Sequence, residues 1–246
     1  MRISLITASY NCAATIADAL KSVAEQSHPN VEHVIVDGAS RDGTWELVQA
    51  LRSPRVVAFS EPDRGIYDAL NKGIARSSGD VVGFLHADDV FADRDVLARV
   101  AEAFGDPAVD AVYGDLQYVR QDDLARVVRY WRSQPFTPEL LRRGWMPPHP
   151  TLYVRRPLYE RLGGYDASYR IAADYELILR LFSLPGLRAF YIPHVLVKMR
   201  VGGVSNRSLR LIVRKSAEDL RALRTHRVGG IGTLAWKNLS KLGQFL

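Results

Sequence analysis

The sequence predicts an α/β protein built on a mostly parallel sheet covered on both faces. Three observations predict it. Short apolar runs alternate with segments that are apolar at helical spacing through the first hundred or so residues. The runs lack polar alternation, as strands buried on both faces do. Each run also stops in a polar, acid-bearing loop, and four such strand–helix units need crossover connections that make the sheet parallel.

The elements follow in order. Ile3–Ala8 is the first strand, and Ile16, Leu20, Val23 and Ala24 then mark a helix face. Val31–Val36 is the second strand, followed by Trp45, Val48 and Leu51 on a helix. Arg55–Phe59 is the third, with Ile66, Ala69, Leu70, Gly73 and Ile74 as the next helical stripe. Val81–Leu85 is the fourth, before a helix over Val96–Phe104. The chain shows neither an internal repeat nor a low-complexity linker.

Composition narrows the class. With 246 residues, 47% hydrophobic and 24% charged, wholesale disorder is excluded. No apolar run approaches the ~18–20 residues that cross a bilayer. Ile3–Ala8 is too short for a signal-peptide core, and Ser9-Tyr10-Asn11 interrupts it. The single cysteine, Cys12, excludes an internal disulfide and a cysteine-based zinc site. A cytoplasmic protein is expected. The net charge of +6 resides in residues 208–246, and the preceding body is neutral. That distribution points to a local anionic partner. Nucleic acid is not expected, because no aromatic stacking platform accompanies the arginines.

In parallel sheets ligands bind beyond the carboxyl ends of the strands. There the chain delivers Thr7-Ala8-Ser9-Tyr10-Asn11, Asp37–Thr44, Glu61-Pro62-Asp63-Arg64-Gly65 and His86-Ala87-Asp88-Asp89. Asp37 and Asp42-Gly43-Thr44 also suit turns, and Asp88-Asp89 also suits a helix cap. Adjacent carboxylates repel each other, and a divalent cation relieves that repulsion. Thr7–Cys12 contains no glycine, which excludes a dinucleotide-binding turn and a P-loop.

This set of loops resembles the family 2 glycosyltransferases, whose nucleotide-sugar-binding fold is GT-A. The matching segments are Thr7–Asn11, Asp37–Thr44, Phe84–Asp89, Gly163-Gly164-Tyr165-Asp166 and Ala173-Asp174-Tyr175-Glu176-Leu177. Glu61–Gly73 looks like the branch that makes bacterial exopolysaccharide and colanic-acid-type repeats. The resemblance covers residues 1 to about 205. It implies a GT-A domain over 1–206, with a nucleotide-sugar half (1–115) and an acceptor half (116–206), followed by a basic helical tail (207–246). It further implies that Thr7, Ala8, Ser9, Tyr10 and Asn11 line the nucleotide pocket and that Asp37 hydrogen-bonds the base, usually uracil. Ser40, Asp63, Gly65, Asn71 and Asp88 join the nucleotide-sugar site. Asp89 would hold a divalent cation, Mg²⁺ or Mn²⁺, on the diphosphate. Asp174, at the start of a helix over Tyr175–Leu184, matches the family's catalytic base; a helix N-cap is its alternative reading. The implied reaction is inverting transfer of a sugar to an acceptor hydroxyl. A non-catalytic nucleotide-sugar binder or scaffold on the same fold is the alternative function.

One departure from the family pattern concerns the metal. Many such enzymes supply a further histidine ligand near the end of the domain, whereas Met199–Asn206 contains none. Arg200 is expected to help neutralise phosphate or to sit on the acceptor side. Trp145 and His149, in the stiff stretch Gly144–Thr151, are expected on the acceptor wall, where prolines also simply shape a turn. From Arg207 the chain reads as an amphipathic helix with Arg207, Arg210, Arg214 and Arg221 on one face. Leu209, Ile212, Val213, Leu220 and Leu223 lie on the other. A second stripe holds Ile231, Leu234, Ala235, Leu242 and Phe245, flanked by Lys237 and Lys241. Such helices pack on their own domain or dock on anionic lipid. The second reading suits a peripheral enzyme whose acceptor is a glycan or a lipid-linked sugar.

Overall fold

The computed structural model describes residues 1–202 and 209–239. The first half follows the expected alternation: β1 (Ile3–Ser9), α1 (Ile16–Ala24), β2 (Val31–Asp37), α2 (Thr44–Leu51), β3 (Val56–Ser60), α3 (Ile66–Arg76) and β4 (Val81–Phe84). Strands β1 and β2, β2 and β3, and β1 and β4 pair in parallel, in the spatial order β3-β2-β1-β4. The chain therefore steps outward from β1 to β3, then returns to place β4 on the other side of β1. Such a reversal opens a crevice beyond the carboxyl ends of the two strands.

The second half is mixed rather than parallel. It comprises β5 (Val90–Phe91), α4 (Val96–Ala103), β6 (Ala111–Val119), β7 (Val127–Trp131), α5 (Pro138–Arg142), a 3₁₀ turn at His149–Thr151, β8 (Tyr153–Arg155), α6 (Arg156–Leu162), α7 (Ala173–Phe182) and β9 (Ala189–Arg200). The sheet continues β4-β8-β6-β9-β5, with β7 on β6, and only the β6–β9 pair there is parallel. Antiparallel pairs need no crossover helix, so these strands carry no regular strand–helix period.

Side-chain alternation builds a core on each face. Ile3 and Leu5 pack with Ala19, Val23, Leu97 and Val100, while Ile6 joins Val34, Val36, Leu70, Tyr113 and Ile178 on the opposite face. The C-terminal helices α8 (Leu209–Thr225) and α9 (Ile231–Leu239) belong to the second core, into which Ala222 and Leu223 are fully buried. A boundary at residue 206 thus does not separate two packing units.

The buried stripe of the tail is not the expected one. Ile212 and Val213 face solvent, Val213 at 70% exposure, while the acids Glu218 and Asp219 are buried with Ala222 and Leu223. These four share one helix face, where Ala222 and Leu223 enter the apolar core and the two acids meet polar partners. In α9, Lys237 is only 2% exposed and pairs with Asp219 at 2.9 Å, whereas Ile231, Trp236 and Leu239 face outward. Arg207, Lys241, Leu242 and Phe245, and the side chains of Leu209 and Arg210, lie outside the described residues.

Candidate functional site

The rim of the sheet is tied together by Asp37, which lies opposite Ser9 in register and is fully buried. Its Oδ1 accepts from the Ser9 and Ser40 hydroxyls at 3.1 and 2.5 Å. Its Oδ2 accepts from the Ser40 N–H and the Ser60 hydroxyl at 3.0 and 2.6 Å. A carboxylate offers about four lone-pair sites, and here all are filled. Asp37 thus joins the ends of β1, β2 and β3.

The first loop is similarly built from within. The Thr7 hydroxyl donates to the Leu85 carbonyl at 2.8 Å and lies 2.9 Å from His33 Nε2, bridging β1 to the segment after β4. Ser40 Oγ accepts from the Asn11 N–H at 2.9 Å, and Asn11 Oδ1 accepts from the Arg41 N–H at 2.9 Å. Asn11 adopts φ +48°, a conformation asparagine tolerates through such local bonds. Ala8 is half-buried; Tyr10 and Asn11 are presented to solvent, Tyr10 at 66% exposure.

Beside Tyr10 lies a gap left by Gly38. A β-carbon there would fall 2.4 Å from Asp63 Oδ2 and 3.3 Å from the Tyr10 ring. The other Asp63 oxygen accepts from the Gly65 N–H at 2.7 Å, across a turn whose φ of +119° requires glycine. Three loops thus converge on Tyr10, Gly38 and Asp63. Asn71 is not among them. Its amide oxygen accepts from the Tyr165 N–H at 2.7 Å and its amide nitrogen donates to the Tyr165 carbonyl at 2.8 Å. Asn71 clamps the Gly164-Tyr165 loop to α3.

The Asp88-Asp89 turn leads into β5, and the next helix, α4, has Asp95 at its N-cap. The helix-cap reading of the pair therefore fails. Asp88 is half-buried, whereas Asp89 is fully buried. Asp89 Oδ1 accepts from the Arg200 N–H at 3.2 Å, while Oδ2 has no hydrogen-bond partner. Burial first, then the Asp88 charge, holds the Asp89 carboxyl well above the usual range, with Arg200 opposing. An orphaned, buried carboxylate oxygen costs about 1–3 kcal/mol and suits a hard divalent cation. Among the described residues no group of three or more metal-ligating side chains gathers, so such an ion would need ligands from elsewhere.

Arg200 lies under this turn. Its guanidinium donates to the Asp88 and Gln121 carbonyls at 2.7 and 3.2 Å and to Asp18 on α1 at 2.5 Å. It borders an open cleft of about 520 Å³ lined also by Thr15, Asp18 and Asp122. Trp145 departs from expectation: its indole stacks on Phe136 and meets Tyr113 and Phe182 edge-on, at ring-centre distances of 5.7–6.0 Å. The ring serves a packed aromatic cluster.

Asp174 is the second residue of α7, whose N-cap is Ala172, so the capping alternative fails here too. Its Oδ2 is 3.3 Å from His149 Nδ1, and the His149 ring is 5.6 Å from that of His86. Burial holds His149 down at about 4 against the pull of Asp174, so the imidazole is neutral at pH 7. His86 is lowered by burial as well, and it feels the charges of both Asp88 and Asp174. The acidic turn after β4 and the acid on α7 therefore meet across two neutral imidazoles. Sequence reasoning assigned no role to His86 or to Tyr67, whose hydroxyl donates to the Ile171 carbonyl at 2.7 Å. Both stood within the family-like segments, which was the signal available for them.

This architecture is the GT-A glycosyltransferase fold. Staphylococcus aureus TarS 1-349 in complex with UDP-GlcNAc aligns with a TM-score of 0.73 and 18% identity, over 93% of this chain and 66% of that one. The mannosyltransferase PcManGT of Pyrobaculum calidifontis, in complex with GDP-Man and Mn²⁺, aligns with a TM-score of 0.68 and 24% identity, over 99% and 72%. This chain spans 39% of the longer S. aureus TarS chain. Residues 4–162 match the family described as Glycosyl transferase family 2, and the chain belongs to it. A PGL/p-HBAD biosynthesis glycosyltransferase of Mycobacterium tuberculosis is 34% identical over 209 residues, 82% of this chain and 78% of that protein. No helix among the described residues is long and apolar enough to cross a membrane.

Proposed function

We propose that this protein is an inverting transferase that moves a sugar from a nucleoside-diphosphate sugar, UDP-linked, to a hydroxyl of a glycan or lipid-linked acceptor in cell-surface glycan synthesis. The observation that carries the reading is the approach of the acidic turn after β4 to the acid on α7. His86 feels the charges of both Asp88 and Asp174, its ring lies 5.6 Å from that of His149, and His149 lies 3.3 Å from Asp174. Asp89, next to Asp88, keeps an oxygen without a partner. Tyr10 and Asp63 are the donor-side groups turned toward the rim, suited to stacking on a base and accepting its N–H. Asp89 Oδ2 would hold a divalent cation, Mg²⁺ or Mn²⁺, which when bound supplies Lewis-acid stabilisation of the charge developing on the departing diphosphate. Asp174 takes the acceptor hydroxyl proton as that oxygen attacks the anomeric carbon opposite the nucleotide. The neutral His149 beside it adds no positive charge to weaken the base.

A lipid-linked acceptor brings the enzyme to the cytoplasmic face of a membrane. Support comes from the outward Ile231, Trp236 and Leu239 of α9 beside the exposed basic residues Arg224 and Arg227. The exopolysaccharide branch read from Glu61–Gly73 stays within this proposal; the mycobacterial relative is named for PGL/p-HBAD biosynthesis.

The test starts with thermal shift against a panel of UDP- and GDP-sugars, since a bound donor raises apparent stability. With the donor so identified, Asp174→Asn should lower transfer by about 10²–10⁴-fold and leave donor affinity within about twofold. Near-normal turnover would remove Asp174 as the base. Donor binding with no turnover by the unaltered protein would return the chain to the non-catalytic alternative.

A further inference from the structure

We infer that Glu218, on the C-terminal helix α8, is the positioning residue for Asp174. The inference rests on the reading of Asp174 as the base. The segment entering α7 has no capping side chain of its own, because Ala172 occupies the N-cap. Its amides are gathered instead by a carboxylate from 46–48 residues further along the chain. Glu218 Oε2 accepts from the N–H groups of Arg170, Ile171 and Ala172 at 3.1, 2.8 and 3.0 Å. Three successive N–H groups turned to one anion form a nest, reinforced by the positive end of the helix that follows. From the other side Tyr67, on α3, holds the Ile171 carbonyl at 2.7 Å. The backbone two residues before Asp174 is thus fixed between the donor half and the tail.

Glu218 is itself held in place. It is 8% exposed and receives Arg214 Nε at 3.2 Å. Its neighbour Asp219 is locked to Lys237, whose ammonium lies 3.0 Å from the centre of the Tyr175 ring on α7. An apolar contact would glue α8 to α7 equally well. A carboxylate that engages three amides specifies the loop's geometry, and displacement of a base by about 1 Å can cost 10²-fold in rate.

The experiment uses the full chain with Glu218→Gln, Glu218→Asp, Asp174→Asn and, as a stability control in the opposite core, Val100→Ala. Readouts are amide hydrogen exchange across residues 169–173, UDP affinity with Mn²⁺ by calorimetry, and UDP release from UDP-glucose and UDP-N-acetylglucosamine with water as acceptor. Glu218→Gln should lose amide protection and about 30–100-fold in kcat, with KM and UDP affinity within about twofold, because only the base side moves. Glu218→Asp should recover part of both. Val100→Ala should lower the melting temperature comparably and keep kcat within about threefold. Wild-type kcat in Glu218→Gln, or an equal kcat loss in Val100→Ala, would overturn the inference. If Asp174→Asn itself turns over normally, the base assignment fails first; if it is dead while Glu218→Gln is fully active, only the positioning role fails. Should Glu218→Gln not fold, the same split in Glu218→Asp decides.

Discussion

At the scale of single residues the buried acids Asp37 and Asp89 are of two kinds. Asp37 has every lone pair occupied, while Asp89 keeps one oxygen without a partner. Removing the first should damage the fold, and removing the second should damage binding. Asp37→Ala leaves three hydroxyls and an amide without their acceptor and is expected to cost about 2–4 kcal/mol in urea unfolding. Asp89→Ala should leave stability unchanged or improved, since a buried carboxyl held well above its usual range disappears. It should also abolish the gain in UDP affinity conferred by Mn²⁺. Equal, metal-insensitive losses for both variants would take the cation away from Asp89.

At the scale of elements, β1 and β2 carry a pH dependence of their own. His33 is buried, and burial depresses it to about 4 from the ordinary 6.5. The unfolded chain therefore takes up the proton first as pH falls, so stability is full above about 6.5 and declines toward 4. Between pH 7 and 5 the expected loss from this residue is roughly 2 kcal/mol. Urea unfolding at the two pH values measures it, and His33→Gln should show that much less dependence; an identical slope in the variant would clear His33. The strands and helices of the first half were legible because the apolar runs of β1, β2 and β4 are buried on both faces, as in β2, where all seven residues are buried; the edge strand β3 is partly exposed. The strands β6 to β9 were not: β8 and β9 pair with β6 from far along the chain, and the β6–β7 hairpin carries no strand–helix period. The rim loops were readable as a set. Their individual jobs were not: that Asn71 clamps Tyr165, and that Asp63 fills the space over Gly38, depends on loops folding against one another.

At the scale of the whole molecule the basic tail becomes part of the domain. Its only two acids, Glu218 and Asp219, face inward, so its outward surface is more cationic than its composition. If that surface meets anionic lipid, each exposed basic residue contributes about 1 kcal/mol, screened by salt. Arg214 and Arg221 are engaged with Glu218 and the Tyr169 ring. The informative variant is therefore Arg224→Gln with Arg227→Gln, which should weaken co-sedimentation with phosphatidylserine vesicles about 30-fold at low salt. Trp236→Ser, at a position 56% exposed, should weaken it further without lowering the melting temperature. Sedimentation unchanged in all three substitutions would return this face to ordinary solvated surface.

The amino-acid sequence by itself determined the class of fold, the rim where the loops gather and the family, because periodicity and short motifs are local properties of the chain. Tertiary structure alone decided which carboxylates are saturated and which is left open. It also decided that Trp145 packs against the core and that a tail helix grips the loop before Asp174. Each of these depends on which donors and rings arrive from distant segments, and burial then makes an unfilled lone pair or a filled one energetically consequential.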